Sequence, residues 1–164
     1  MIHMIDVAMK YLSDGNCSER ELRLKLEKQF VDLPEVDKCI DSAMTRLREL
    51  HLLSDVRFAD TLAGRYAHKG DRFITQVLRQ KGMADTLIAA TLAAHGDEHI
   101  RALEASRKKR RSLRGEGREK GKTRLARFLS GRGFSYETID TVLRQLDEEG
   151  FFVSLDESIG AGLA

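Results

Sequence analysis

The chain has 164 residues, 41% of them apolar, 33% charged and 6% aromatic, with one proline, no tryptophan and a net charge of +2. That length suits one domain or several small units sharing a core, and no apolar run is long enough to span a bilayer. The first twelve residues lack a basic start and carry Asp6, which argues against a signal peptide, and Cys17 and Cys39 have no metal-ligand spacing, so both are expected as reduced thiols of a cytoplasmic protein.

Ile5, Ala8, Met9 and Leu12 make the apolar stripe of a first helix, which should end at the turn Asp14-Gly15-Asn16. Ser18-Glu19-Arg20-Glu21 fits a capping box, in which hydroxyl and carboxylate satisfy first-turn N–H groups. A second helix then runs through Leu22, Leu26 and Phe30. Pro34 suits the first turn of a third, where its missing N–H is no loss, with Val36, Ile40, Met44, Leu47 and Leu50 inward. Asp55 stands as the expected N-cap of a fourth, with Phe58, Ala59, Leu62 and Tyr66 on one face. Gly70 joins it to a fifth, with Ile74, Val77 and Leu78 inward, and Gly82 ends that helix in the left-handed conformation. Met83 to His95 gives a sixth, with Ile88 and Leu92 inward.

After His95-Gly96-Asp97 a long charged helix is expected, with a thin apolar face of Ile100 and Leu103, running into the basic stretch Arg107 to Arg111. Gly115, Gly117 and Gly121 predict a flexible joint. Helix resumes at Lys122 and runs through Leu125, Phe128 and Leu129 to Gly133. Ser135 caps a last helix, with Ile139, Val142, Leu143 and Leu146 inward, and the polar tail from Asp156 should fray.

An internal repeat organises these elements. Ile74, Leu78, Gly82, Met83, Ile88 and Leu92 recur at identical offsets as Leu125, Leu129, Gly133, Phe134, Ile139 and Leu143. Leu22, Leu26, Ile40 and Met44 make a third copy if its loop around Asp32 is longer, and Leu50-His51-Leu52-Leu53 echoes Glu149-Gly150-Phe151-Phe152. The expectation is an all-α chain of three tandem three-helix repeats, residues 1–54, 55–96 and 97–164, in an elongated and curved array. Each repeat is too small to bury its own core alone.

Asp55, Phe58-Ala59, Arg65, Gly70, Ile74 with Leu78, and Lys81-Gly82 together resemble the central pattern of the RecX family. The chain departs from that pattern in having His51 where the family often has glycine, Gly70-Asp71 where it often has Gly-Pro, and a more basic stretch from Arg107 to Lys122. The resemblance implies a regulator of the RecA recombinase with no chemistry of its own. It implies binding to the RecA filament on single-stranded DNA and suppression of filament growth, ATP hydrolysis and strand exchange.

Charge patterning adds where such contacts should lie. Thirteen Lys and Arg against three acids between Arg101 and Arg132 give that span +10 and leave −8 elsewhere. Arg107, Lys108, Lys109, Arg110, Arg111, Arg124 and Arg132 are therefore the expected nucleic-acid-binding residues. Arg65, Lys69, Arg72, Arg79 and Lys81, on the polar face of the central pattern, are the expected partner-binding residues. Few aromatics interleave with the basic residues, so base-specific reading is not expected. His95 and His99 stand four apart, but Gly96 interrupts the helix and no third ligand accompanies them, so no metal is expected. No phosphate loop and no nucleophile–base set is present, so neither an enzyme nor a cofactor is expected. The rival reading is a helix-turn-helix regulator of duplex operators, against which no helix concentrates base-reading side chains. An adaptor scaffold without nucleic acid is the third. The chain is expected to act as a monomer.

Overall fold

A computed structural model describes residues 2–13 and 17–153, so the expected turn at Asp14-Gly15-Asn16 and the tail from Asp156 lie outside the described residues. The described residues form nine α-helices and no strand. They are α1 (Ile2–Ser13), α2 (Glu19–Gln29), α3 (Val36–Glu49), α4 (Asp55–Arg65), α5 (Asp71–Gln80), α6 (Asp85–Ala94), α7 (Glu98–Lys109), α8 (Arg118–Gly131) and α9 (Tyr136–Glu148), with a short 3₁₀ turn, Arg110–Leu113, after α7. The fold is all-α, as the periodicity predicts. The chain divides into two compact units, Met1–Ala63 with Val77–Thr91, and Gly64–Gln76 with Leu92–Ala164.

In the first unit α1, α2 and α3 close a core of Met4, Ala8, Leu22, Leu26, Ile40, Met44 and Leu47. Fully burying each Leu or Ile contributes roughly 2–3 kcal/mol against leaving it in water. The α1 stripe is shifted from expectation: Met9 is 47% exposed and Met4 takes the inward place. Leu50 is likewise 45% exposed, because α3 ends at Glu49 and the chain turns at His51. Pro34 lies in the turn before α3 rather than in its first turn, and Glu35, in the left-handed region with φ +52°, starts the helix. The capping box forms as expected: Ser18 Oγ accepts the Glu21 N–H at 3.2 Å and Glu21 accepts the Ser18 N–H at 3.2 Å. Cys17 is buried there, and burial pushes its thiol pKa up.

In the second unit α7, α8 and α9 close a core of Ala102, Leu113, Leu125, Leu129, Phe134, Val142, Leu146 and Phe152. The inward face of α7 is Arg101, Ala102, Ala105 and Ser106, not Ile100 and Leu103. Ile100 is 56% exposed and Leu103 only half-buried. Helix α8 begins at Arg118 rather than Lys122, and Gly121 is buried inside it, so the glycine-rich joint shrinks to the four residues 114–117. Ser135 caps α9 as expected, accepting the Thr138 N–H at 3.2 Å.

The repeat is visible in backbone angles as well as burial. Gly82 and Gly133 have φ +82° and +81°, each following a buried leucine and preceding a buried Met83 or Phe134. His51 has φ +55°, like Gly150 at +72° in the matching place, so the histidine occupies a conformation suited to glycine.

Each unit also contains the same junction. In the first, Asp55 is not the N-cap of its own helix. It is the first residue of α4, and its carboxylate accepts the N–H of Glu19, the first residue of α2, at 2.8 Å. Ser54 takes the capping place, its carbonyl accepting the Phe58 N–H at 3.0 Å. Beside it Ser18 Oγ donates to the Lys81 carbonyl at 2.7 Å, just before Gly82. In the second unit Glu98, first residue of α7, accepts the N–H of Asp71, first residue of α5, at 2.8 Å. Beside it the Gly70 N–H donates to the Arg132 carbonyl at 2.9 Å, just before Gly133.

Candidate nucleic-acid interface

The second unit carries a groove of about 610 Å³ between the end of α4, one side of α7 and the end of α8. Arg65 and His68 line one side, Arg101, Lys108 and Lys109 come from α7, and Arg132 closes the far end, with Glu104 as the acid among them. Helical geometry selects these members. Arg101, Glu104 and Lys108 fall three and four residues apart, on one face of α7. The groove thus gathers Arg65 from the expected partner-binding set and Lys108, Lys109 and Arg132 from the expected nucleic-acid set.

Aromatic faces hold two of these cations in place. The Arg132 guanidinium lies 4.5 Å from the centroid of the Phe128 ring, and Lys109 Nζ lies 5.1 Å from the same centroid. Arg132 also donates to the His68 carbonyl at 3.4 Å. Among the described residues Lys108, Lys109 and Arg132 form no ion pair, so their positive field reaches solvent largely uncompensated. Desolvation beside the groove, then the charges of Arg132, Lys69 and Lys108, lower the pKa of His68 from its ordinary value.

Arg101 has a different role at the inner end. It is 8% exposed, donates through one nitrogen to the Lys69 carbonyl at 2.7 Å and pairs through another with Asp71. Removing a buried partner of this kind typically costs about 3–5 kcal/mol. Arg101 therefore fixes the chain segment that carries His68 and Lys69, and its charge is already taken.

Other expected site residues lie elsewhere. Arg107 pairs with Glu149 at 3.5 Å, and Arg110 lies 5.4 Å from the Phe151 ring centroid, on a face of the second unit that includes Gly150. Arg111 is exposed at the 3₁₀ turn, and Arg124 is paired with Glu116. Lys69 Nζ sits 4.6 Å from the Phe73 ring centroid, and Arg72 lines a separate groove. In the first unit Arg79 pairs with Asp85 at 3.0 Å and Lys81 with Glu21 at 2.7 Å. The basic run is thus distributed over several faces. His68, Arg101 and the cation-bearing face of Phe128 are site features missing from the sequence reading. The repeat of Arg101, Glu104, Ala105 and Lys108 on one helical face was the available signal.

Among the described residues no group of three or more His, Cys, Asp and Glu is arranged to hold a metal ion. His99 Nε2 lies 2.8 Å from Gln145 Oε1. No described helix is long and apolar enough to cross a membrane.

The comparisons agree on one family. A profile described as "RecX, third three-helix domain" matches residues 97–143, which carry most of the groove. The chain is 31% identical over 144 residues to a regulatory protein RecX of Chlorobium phaeobacteroides, covering 86% of this chain and 91% of the relative. It is 34% identical over 149 residues to a regulatory protein RecX of Chlorobaculum tepidum, covering 88% and 89%. A crystal structure of RecX from Lactobacillus salivarius superposes with a TM-score of 0.73 at 22% identity, covering 88% of this chain and 95% of that one, and so shares the fold.

Proposed function

The chain belongs to the RecX family, and from that premise we propose that it is a negative regulator of the RecA recombinase that binds the RecA filament on single-stranded DNA. In this reading it limits filament growth, ATP hydrolysis and strand exchange, as a cytoplasmic monomer of three repeats, residues 1–54, 55–96 and 97–164, with no chemistry of its own. The observation that carries the proposal is the groove of the second unit. Among the described residues Lys108, Lys109 and Arg132 have no carboxylate partner there, and the Phe128 ring holds Lys109 and Arg132. Unneutralised cations in a concave site suit a phosphate backbone. Arg107, Arg110, Arg111 and Arg124 add to the long-range field, although Arg107 and Arg124 are already ion-paired. Arg65, Lys69 and Arg72 are the residues we place toward the protein partner, with Arg79 and Lys81 contributing through their pairs.

The test is ATP hydrolysis by RecA on single-stranded DNA, titrated with this protein. The proposal expects inhibition, and inhibition well below one copy per RecA indicates action at filament ends. Unchanged hydrolysis in the presence of the folded protein would sink the proposal.

A further inference from the structure

A second groove in the C-terminal unit is built differently from the first. It is about 420 Å³ in volume, its walls are Ala126, Phe134 and Ile139 with Ser130 beside them, and Arg72, Arg127 and Tyr136 complete the lining. Tyr136 opens α9 and is 82% exposed; among the described residues its ring meets no other ring and its hydroxyl makes no hydrogen bond. The guanidiniums of Arg72 and Arg127 are exposed and have no acidic partner among the described residues. That sets them apart from Arg107, Arg118, Arg124 and Arg144 of the same unit, each of which has a carboxylate.

We infer that this groove is a docking site for an acidic protein segment that places an apolar side chain between two carboxylates. The apolar walls accept the side chain, and Arg72 and Arg127 on the rim pair with the flanking acids, for which planar guanidiniums are well matched. Tyr136 covers the seated segment, and tyrosine and arginine around an apolar pocket are the composition that dominates binding energy at protein interfaces. A nucleic acid is the poorer match, because the groove has two cations around an apolar floor, whereas the neighbouring groove concentrates several cations around one acid. The two grooves thereby divide the labour within one unit, with phosphate on the Lys108 side and protein on the Arg72 side.

The inference rests on the filament reading, and the test separates the two. A photo-cross-linking residue is placed in the full chain as Tyr136→p-benzoylphenylalanine and, separately, as Lys108→p-benzoylphenylalanine, and each protein is irradiated with RecA filaments on oligo(dT). The expected result is a cross-link from position 136 to a RecA peptide in which an apolar residue is flanked by Asp or Glu. Adding Arg72→Glu and Arg127→Glu should reduce that cross-link at least about tenfold, by loss of two charge-assisted contacts. Both side chains are exposed, so the fold should persist, as circular dichroism would verify. Capture of DNA alone or of a non-acidic segment from position 136, or no capture there while position 108 reacts, overturns the docking site and leaves filament binding standing. No cross-link from either position removes the filament reading and the docking site together.

Discussion

In the first unit the Asp55 carboxylate takes the Glu19 N–H at 2.8 Å, and in the second the Glu98 carboxylate takes the Asp71 N–H at the same distance. The surroundings of the two carboxylates differ. Burial outweighs that single bond at Asp55, and its pKa is raised. Burial opposes the charge of Glu98 too, but hydrogen bonds from Thr138, the Asp71 N–H and Ser135 outweigh it, and its pKa is lowered. The backbone approaches differ as well. Ser18 reaches the Lys81 carbonyl through a flexible hydroxyl, whereas Gly70 reaches the Arg132 carbonyl through its own N–H. The second junction is thus the more firmly held one, and it adjoins Arg101 and Arg132, which line the basic groove. The same junction is held by a single carboxylate contact in the first unit and by several in the second, next to the basic groove.

The largest expected effect comes from the tightest approach. A Cβ at Gly70 would lie 2.2 Å from the Phe134 backbone nitrogen, so Gly70→Ala should cost about 3 kcal/mol or more in urea unfolding. A Cβ at Gly82 meets the Arg20 side chain, whose far end can move, and Gly82→Ala should cost about 1–2 kcal/mol, mostly from its positive φ. Equal losses at the two glycines would erase the contrast between the junctions.

The carboxylates give the next effect. Glu98→Gln should cost about 2 kcal/mol at pH 7, the scale of hydrogen bonds to a charged acceptor. The sign follows from linkage. Glu98 has a folded pKa below its unfolded value near 4.5, so its stabilisation is complete above that value and fades as pH falls through the folded pKa. Asp55 is the reverse: its contribution is present below about 3.8 and is lost as pH rises through its raised folded pKa. Asp55→Asn keeps an oxygen for the Glu19 N–H and should change stability at pH 7 by under about 0.5 kcal/mol. Thermal melts of both variants between pH 3 and 7 check this, and the acid limb should flatten for the Glu98 variant alone.

The smallest effect separates His51 from Gly150. His51→Gly should stabilise by up to about 1 kcal/mol by relieving the positive φ, whereas Gly150→Ala should destabilise by a similar amount. The His51 carbonyl accepts from Arg57 through the backbone, so that contact survives the change.

These elements also mark where sequence reasoning stops. Leu22, Leu26, Leu125, Leu129, the Ser18 capping box, the Ser135 cap and both turn glycines were legible, because each is governed by helical period or local backbone chemistry. Asp55 was misplaced because its carboxylate answers to Glu19, 36 residues away. The inward face of α7 was misread because Ala102, Ala105 and Ser106 are small and Arg101 is buried only by virtue of Asp71 and the Lys69 carbonyl. The groove was half-legible: its cations stood out as a run, but their division among several faces depends on Glu149, Glu116 and Phe128.

The most direct measurement is the salt dependence of binding to RecA filaments on oligo(dT), for the wild type and for Lys108→Glu, Lys109→Glu and Arg132→Glu combined. If the groove receives the phosphate backbone, the variant binds more weakly and its slope against log salt flattens by about 2, near 0.7 for each lost single-strand phosphate contact. The reversal of paired Arg107 and Arg124 should change the slope much less. An unchanged slope in the groove variant, with the fold intact, would contradict the account.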